Sequence, residues 1–221
     1  SFKGEDIEQR DKFHKILYDR YNRLLEYQNK SLADKYKKKC LEIKELSEDI
    51  AVSVAKSYFK LLAYKDEYEV ARLHKATLVK NISENFDNAS NIIFYLAPPI
   101  VSRTGKDGKM KKKAFGSWML TAFAILSWLK FLRGTVFDIF GYSAERIAER
   151  DLIQKYESDL NRIKYEIEMD NFDLLMGLSL WPMDVKGFGH VKARNMELAL
   201  SRRDDVIQRL SNETSAIKAA E

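Results

Sequence analysis

Apolar residues recur at helical spacing along most of the chain, with polar residues on the intervening positions. Ser31, Ser47 and Ser143 each precede such a segment and are typical helix N-caps. Only one stretch departs from the helical period. The pattern therefore predicts a mainly α-helical bundle of six or seven helices. Their approximate ranges are 5–29, 32–46, 47–73, 117–132, 144–168, 171–180 and 190–212.

The departure from the helical period lies between about residues 92 and 115. Residues 92–97, Ile-Ile-Phe-Tyr-Leu-Ala, are β-branched or aromatic and end at Pro98-Pro99. A glycine-punctuated loop follows, and residues 111–115 provide a second strand. We expect one small β-hairpin here.

The segment from 117 to 132 is apolar on all its faces and holds Trp118 and Trp128. Such a helix is either buried in a protein or placed in a membrane. It is shorter than the roughly 20 apolar residues that a membrane span needs. The segment is therefore predicted to be a buried central helix, around which the bundle packs.

Three regions are expected along the chain. Residues 1–46 form an N-terminal helical hairpin annex, residues 47–212 form a helical domain, and residues 213–221 form a frayed tail. The polar, acidic start does not resemble a signal peptide, and the lack of a starting Met favours a fragment or a processed chain.

The charges are nearly balanced, with 38 basic and 33 acidic residues and a net charge of +5. Nucleic-acid binding is therefore not indicated by the total. Cys40 alone excludes an intrachain disulfide and suits a cytoplasmic protein. One anion patch is the local exception, and a phosphate-bearing ligand, an acidic partner or solubility would each explain it. It comprises Arg103, Lys106, Lys109, Lys111, Lys112 and Lys113.

The sequence holds no CxxC, HExxH, GxSxG, Walker or GxGxxG motif. Its three histidines lie far apart, and no catalytic residue is predicted. The segment 64–73 is densely charged between aromatic residues. Ion pairs from Lys65 to Glu69 and from Asp66 to Arg72 within one helix would explain this, and so would a polar network that docks another domain.

Six blocks of the sequence together resemble one family, the C-terminal region of indolepyruvate ferredoxin oxidoreductase. They occur in the family's order, and charged and turn residues match as well as apolar ones. The blocks are Lys60–Leu73, Phe94–Pro99, Phe115–Leu120, Leu129–Thr135, Phe140–Arg146 and Lys186–Lys192.

This resemblance implies a multidomain enzyme that converts a 2-oxoacid and coenzyme A to acyl-coenzyme A and CO2 and passes electrons to ferredoxin. Thiamine diphosphate, Mg²⁺ and 4Fe-4S clusters belong to the parent enzyme, which is expected to be a homo-oligomer. One cysteine cannot supply the four ligands of a cluster. Residues 106–109 do not supply the expected Gly-Asp-Gly metal motif. We therefore expect no cofactor and no catalysis in this chain, which would act as an accessory scaffold on the upstream catalytic domains.

Polar and turn residues of the matching blocks are the candidates for docking. They are Lys65, Asp66, Glu67, Tyr68, Glu69, Arg72, Pro98, Pro99, Arg133, Phe188 and His190. Two alternatives remain open. The chain is a free-standing helical module that binds an acidic partner or nucleic acid through the anion patch, or it lends His190 or Arg133 to a site in a neighbouring domain.

Overall fold

The computed structural model describes residues 2–75, 93–96, 113–167 and 171–220. Within these ranges the chain has eight α-helices and one two-stranded antiparallel sheet, so the predicted mainly α fold is confirmed. Short 3-10 segments follow α5, at Leu129–Leu132, and α7, at Trp181–Asp184. The elements are α1 (Phe2–Tyr27), α2 (Lys30–Lys44), α3 (Glu48–Leu62), α4 (67–75), β1 (Phe94–Leu96), β2 (Lys113–Phe115), α5 (Met119–Trp128), α6 (Ala144–Glu166), α7 (Phe172–Leu180) and α8 (Gly189–Ala220).

Two of the three predicted N-caps are confirmed. The Ser47 side chain accepts a hydrogen bond from the Ile50 amide, and the Ser143 side chain accepts one from the Arg146 amide. Ser31 is not a cap, because α2 begins earlier. Asn29 caps that helix by accepting the Leu32 amide at 2.9 Å, and Asn is as good a cap as Ser.

The chain divides into two compact units. Unit 1 comprises residues 1–64 and 142–221, and unit 2 comprises residues 65–141. Helices α1 and α2, which the sequence suggested as a separate annex, pack on each other and on α3 within unit 1. α8 is helical through Ala220, so most of the residues expected to form a frayed tail continue this helix.

Unit 1 has a large apolar core lined by α1, α2, α3, α6, α7 and α8. At its centre the rings of Tyr36, Tyr58, Tyr156 and Trp181 follow one another with centroids about 6 Å apart. The buried hydroxyl groups have acceptors: Tyr36 donates to the Ala55 carbonyl and Tyr156 to the Ser179 carbonyl. These bonds offset the cost of burying phenol groups.

Unit 2 contains the predicted hairpin. Its register pairs Phe94 with Phe115 and Leu96 with Lys113. Phe94 packs with Ala71 of α4 and with Met119 and Phe123 of α5 in a small buried cluster.

The prediction that residues 117–132 form a buried central helix is wrong. Of the α5 side chains only Met119 and Phe123 are buried, and Trp118, Ile125 and Trp128 are exposed. The all-round apolar pattern is real, but only one face of α5 is covered by the small cluster of unit 2. No helix within the described ranges is long and apolar enough to cross a membrane.

Candidate functional site

The densely charged segment around residue 66 does not continue the preceding helix. α3 ends at Leu62 and α4 begins again at 67, after a break that the helical period did not reveal. The Asp66 side chain caps α4 by accepting the Glu69 amide at 2.8 Å. Asp66 and Glu69 therefore occupy the N-cap and N3 positions of a new helix.

The Asp66 carboxylate also pairs with Arg133, 67 residues further along the chain. Both Nε and Nη2 of Arg133 donate to it, the Nη2 bond being 2.8 Å long. Each of the two side chains is only 3% exposed. Three donors therefore saturate a carboxylate that is withdrawn from solvent. Its role is to hold the start of α4 to the segment that follows α5.

A second buried carboxylate, Asp138, organises the turn between residues 134 and 141. It accepts the Gly134 amide at 2.9 Å and the Gly141 amide at 3.0 Å. Gly134 has a φ of 75°, which a residue with a side chain rarely adopts. The Tyr68 hydroxyl donates to the same carboxylate at 3.2 Å.

We call Asp66, Tyr68, Arg133 and Asp138 the signature cluster. The Arg133 guanidinium lies 5.6 Å from the centroid of the Tyr68 ring, and Phe140 packs edge-on against that ring. Burial and the neighbouring Asp138 carboxylate raise the pKa of Tyr68 well above its ordinary value. The phenol therefore stays protonated and donates to Asp138. The cluster therefore has a structural role: its bonds connect α4 to the segment after α5 and to the turn at residues 134–141.

The other docking candidates of α4 lie around this cluster. Glu69 is buried and forms a two-point ion pair with Arg72, with both bonds at 2.8 Å. Glu67 is half-buried and Lys65 is exposed. Burial leaves Asp66, Tyr68, Glu69 and Arg133 little surface that a partner would reach.

The loop before α8 and the first turn of that helix present the remaining described candidates, Phe188 and His190, and both are exposed. Its shape depends on Gly187, which has a φ of 105° and where a Cβ would lie 2.9 Å from a Val191 methyl group. Asn195 of α8 donates to the Lys186 carbonyl at 2.8 Å and holds the loop. Unit 1 thus carries an exposed, well-anchored loop.

Two buried acidic residues that the sequence analysis did not single out hold α8 in unit 1. Asp159 accepts two bonds from Arg203 and one from the Trp181 indole. Burial raises the pKa of Asp159, and these bonds oppose that effect. Glu149 accepts from both Arg146 and Lys192.

Several predicted residues lie outside the described ranges. They are Pro98, Pro99, Arg103, Lys106, Lys109, Lys111 and Lys112. Lys113 alone represents the anion patch, and it is exposed on β2. The patch therefore stays a prediction.

Metal-ligating side chains are not grouped in the part of the chain that the structure describes. No three His, Cys, Asp or Glu residues there are placed to hold a metal ion. Cys40 is fully buried, and burial raises the pKa of its thiol well above the ordinary value. It is a core residue and does not fit the role of a cluster ligand.

No curated protein and no solved structure matches this chain. A family model described as "Family of unknown function (DUF6537)" matches residues 13–205, which include most of unit 1, all of unit 2 and the whole signature cluster. The chain belongs to the DUF6537 family.

Proposed function

We propose that the chain is a non-catalytic accessory domain of a 2-oxoacid:ferredoxin oxidoreductase of the indolepyruvate type. Such an enzyme forms acyl-coenzyme A and CO2 from a 2-oxoacid and coenzyme A, and it reduces ferredoxin. In this proposal the upstream domains of the enzyme perform the chemistry in the cytoplasm. The helical domain serves as a scaffold on which they assemble.

One observation carries the proposal. Three of the blocks that resemble the oxidoreductase family supply three of the four residues of the signature cluster and both glycines that bond to the fourth, Asp138, which lies between two blocks. Asp66 and Tyr68 come from the block 60–73, Arg133 and Gly134 from the block 129–135, and Gly141 from the block 140–146. A resemblance in residues that are distant in sequence and bonded in space is harder to obtain by chance than one confined to helical periodicity.

The side chains of this chain do not fit a 4Fe-4S cluster. A 4Fe-4S cluster requires about four cysteine ligands, and the only cysteine, Cys40, is enclosed in the apolar core of unit 1. No reaction step is therefore assigned to this chain. Its contribution is assembly.

Burial and internal bonds argue against docking through the charged residues of the segment 64–73 and through Arg133. Lys65, Phe188 and His190 stay accessible, whereas Asp66, Tyr68, Glu69 and Arg133 bond within the chain. Of the three exposed candidates, Phe188 offers the largest apolar contact, and it lies on a loop held by Asn195. We therefore place docking at the loop before α8.

The decisive experiment uses the complete reading frame that encodes this chain. The purified product is assayed for bound thiamine diphosphate, for iron and sulfide, and for coenzyme A-dependent reduction of ferredoxin with indolepyruvate and other 2-oxoacids. We expect all three properties in the complete product and none in the 221-residue chain. A frame that encodes this chain alone, with no neighbouring frame for the missing domains, would overturn the proposal.

Docking is tested in the complete enzyme with Phe188→Asp. We expect loss of assembly between this domain and the catalytic domains, and a lower rate of turnover. The matched control is Tyr165→Asp, because Tyr165 is also a largely exposed aromatic residue of unit 1. Normal assembly and turnover in Phe188→Asp would show that the loop is not a docking site.

A further inference from the structure

Helix α5 is apolar on two opposite faces, and only one of them is used inside unit 2. Met119 and Phe123 point into the small buried cluster. Trp118, Thr121, Ile125 and Trp128 are exposed and follow one another at intervals of three, four and three residues. Trp118, just before α5, already has helical backbone angles. This spacing places all four on one face of the helix, which we call the outer stripe.

The outer stripe exposes a large apolar surface. Trp118 is 61%, Ile125 54% and Trp128 70% exposed. Phe131, which is 47% exposed, extends the stripe through an edge-on contact with Trp128 at 5.3 Å. These side chains expose roughly 500 Å², which is the size of the largest apolar patch on a typical single molecule, and such patches often have a function.

A second exposed apolar group lies in the turn that Asp138 holds. Val136, Phe137 and Ile139 are all largely exposed in unit 2. They expose roughly 400 Å² more, so the two groups of unit 2 together expose an apolar area comparable to the roughly 800 Å² that each partner contributes to a standard interface. Because three donors to Asp138 fix the turn, these side chains are presented on a rigid support.

The chemistry of the outer stripe favours contact with an identical surface. None of its four residues is ionisable. In a two-fold symmetric interface each residue near the axis meets its own copy or a close neighbour, so a charge there would face a like charge. An uncharged stripe avoids this repulsion.

The spacing of these side chains is also symmetric along the helix. Trp118 and Trp128 lie five residues on either side of residue 123, and Thr121 and Ile125 lie two residues on either side. Two copies of α5 packed antiparallel would therefore set Trp118 of one copy beside Trp128 of the other, and Thr121 beside Ile125. The spacing is that of the a and d positions of a coiled coil.

We propose that the outer stripe is a self-association surface, through which two copies of this chain pair by antiparallel contact of α5 with α5. This inference does not depend on the oxidoreductase proposal, because it rests on exposed apolar side chains of unit 2 alone. The exposed area, the lack of charge and the symmetric spacing of the four side chains together favour a second copy over an unrelated partner.

The first test measures the mass of the 221-residue chain by sedimentation equilibrium from low-micromolar to submillimolar concentration. We expect a monomer–dimer equilibrium. Ile125→Glu places a charge near the two-fold axis and should weaken dimerisation by about 100-fold or more, because burying an unpaired carboxylate is costly. Its circular dichroism should match that of the wild type, since Ile125 is exposed in the single chain.

The matched control is Ile147→Glu. Ile147 is the same residue type, lies on helix α6 of unit 1 and is 53% exposed, but it is not in the stripe. We expect it to dimerise as the wild type does. A wild-type chain that stays monomeric over the whole concentration range would overturn the proposal. This holds even if the monomer binds lipid vesicles, because the proposal assigns the outer stripe to a second copy and not to a membrane surface. An Ile125→Glu variant with an unchanged dimer constant would overturn it too.

The second test examines the antiparallel register. In the proposed register residue 121 of one copy lies beside residue 125 of the other. The double variant Thr121→Cys/Ile125→Cys therefore brings two thiols together and should form disulfide-linked dimers on mild oxidation. Each single variant should cross-link much less. The wild type is the control, because buried Cys40 should not cross-link. Stronger cross-linking of a single variant than of the double variant would exclude this register.

Discussion

The interiors of the two units are built differently. Among the described residues of unit 1, 26 buried apolar residues form one core. The buried acids Asp159 and Glu149 accept hydrogen bonds from Arg203, Trp181 and Lys192. In unit 2 the described buried apolar cluster has four members. A polar cluster of Asp66, Tyr68, Arg133 and Asp138 is buried in the same unit.

The difference shows what each unit depends on. Apolar burial provides most of the stabilisation of a domain, and unit 1 has a large share of it. In its described residues unit 2 combines the small apolar cluster with a buried ion pair and a fixed turn, and we expect these polar bonds to contribute to its stability. It also turns the apolar stripe of α5 outward. Unit 1 is therefore expected to be stable alone, and unit 2 to gain stability from a partner surface.

The largest effect is expected from Arg133→Ala, which leaves the buried Asp66 carboxylate without its main partner. Breaking one side of a buried pair costs about 3–5 kcal/mol. We expect the amides of α4 and α5 to lose protection in hydrogen exchange, while those of α3 and α6 keep theirs. The control is Arg202→Ala, whose ion pair with Asp184 is exposed and should contribute at most about 1 kcal/mol. If the amides of α5 were equally protected in Arg133→Ala and Arg202→Ala, the buried ion pair would not be a special source of stability for unit 2.

Next in size is Leu160→Ala in unit 1, because Leu160 is fully buried in the apolar core. A cavity at such a site costs about 3 kcal/mol. Cys40 provides the readout, because its thiol is buried and reacts only when the core opens. We expect Leu160→Ala to accelerate labelling of Cys40 by roughly 100-fold. Arg133→Ala should leave the labelling rate unchanged; fast labelling in that variant would show that the two units unfold together.

A smaller loss is expected from Tyr68→Phe, which removes one donor from Asp138 and keeps the ring. A hydrogen bond to a charged acceptor contributes about 1.5–3 kcal/mol, and the two glycine amides that remain should limit the loss to the lower end. Hydrogen exchange of the turn amides at 134 and 141 measures it. Tyr165→Phe is the control, since Tyr165 is exposed. Unchanged exchange in Tyr68→Phe would show that the turn does not need the phenol.

The smallest effect concerns an ion pair on the surface of unit 1. Lys164 donates to Glu42 at 3.0 Å and holds the pKa of Glu42 below its ordinary value of 4.5. A carboxylate with a lowered pKa stabilises the fold above its unfolded pKa, and this contribution is lost as the pH falls through the folded pKa. Lys164→Met should therefore lower the stability at pH 7 by a few tenths of a kcal/mol, and the difference should vanish in acid. A difference that persists below the lowered pKa would point to packing as its cause.

The local features of the fold followed from the sequence. Ser47 and Ser143 predicted helix starts, and the β-branched run at 92–97 predicted the hairpin, because caps and strand patterns are local signals. The break before α4 was also readable: Asp66 followed by Glu69 is a capping pattern. It was missed because the apolar period continued through the break.

The partners of the charged residues could not be predicted in the same way. Helical spacing suggested Arg72 for Asp66, whereas Arg133 pairs with that carboxylate from a distant segment. No role was predicted for Asp138, although an acidic residue between apolar residues and near two glycines is typical of a fixed turn. The burial of α5 was overestimated because a periodicity shows which faces are apolar and not which faces are covered.

The central claim is that the signature cluster stabilises unit 2 through internal bonds and does not serve as a docking surface. A double-mutant cycle on the isolated chain tests it most directly, with Asp66→Ala, Arg133→Ala and both together, using hydrogen exchange of the α5 amides as the measure of stability. The account predicts that each single variant loses protection and that the double variant loses much less than the two losses combined, because no buried charge is left unpaired. Wild-type protection in the single variants, or losses that simply add, would contradict it.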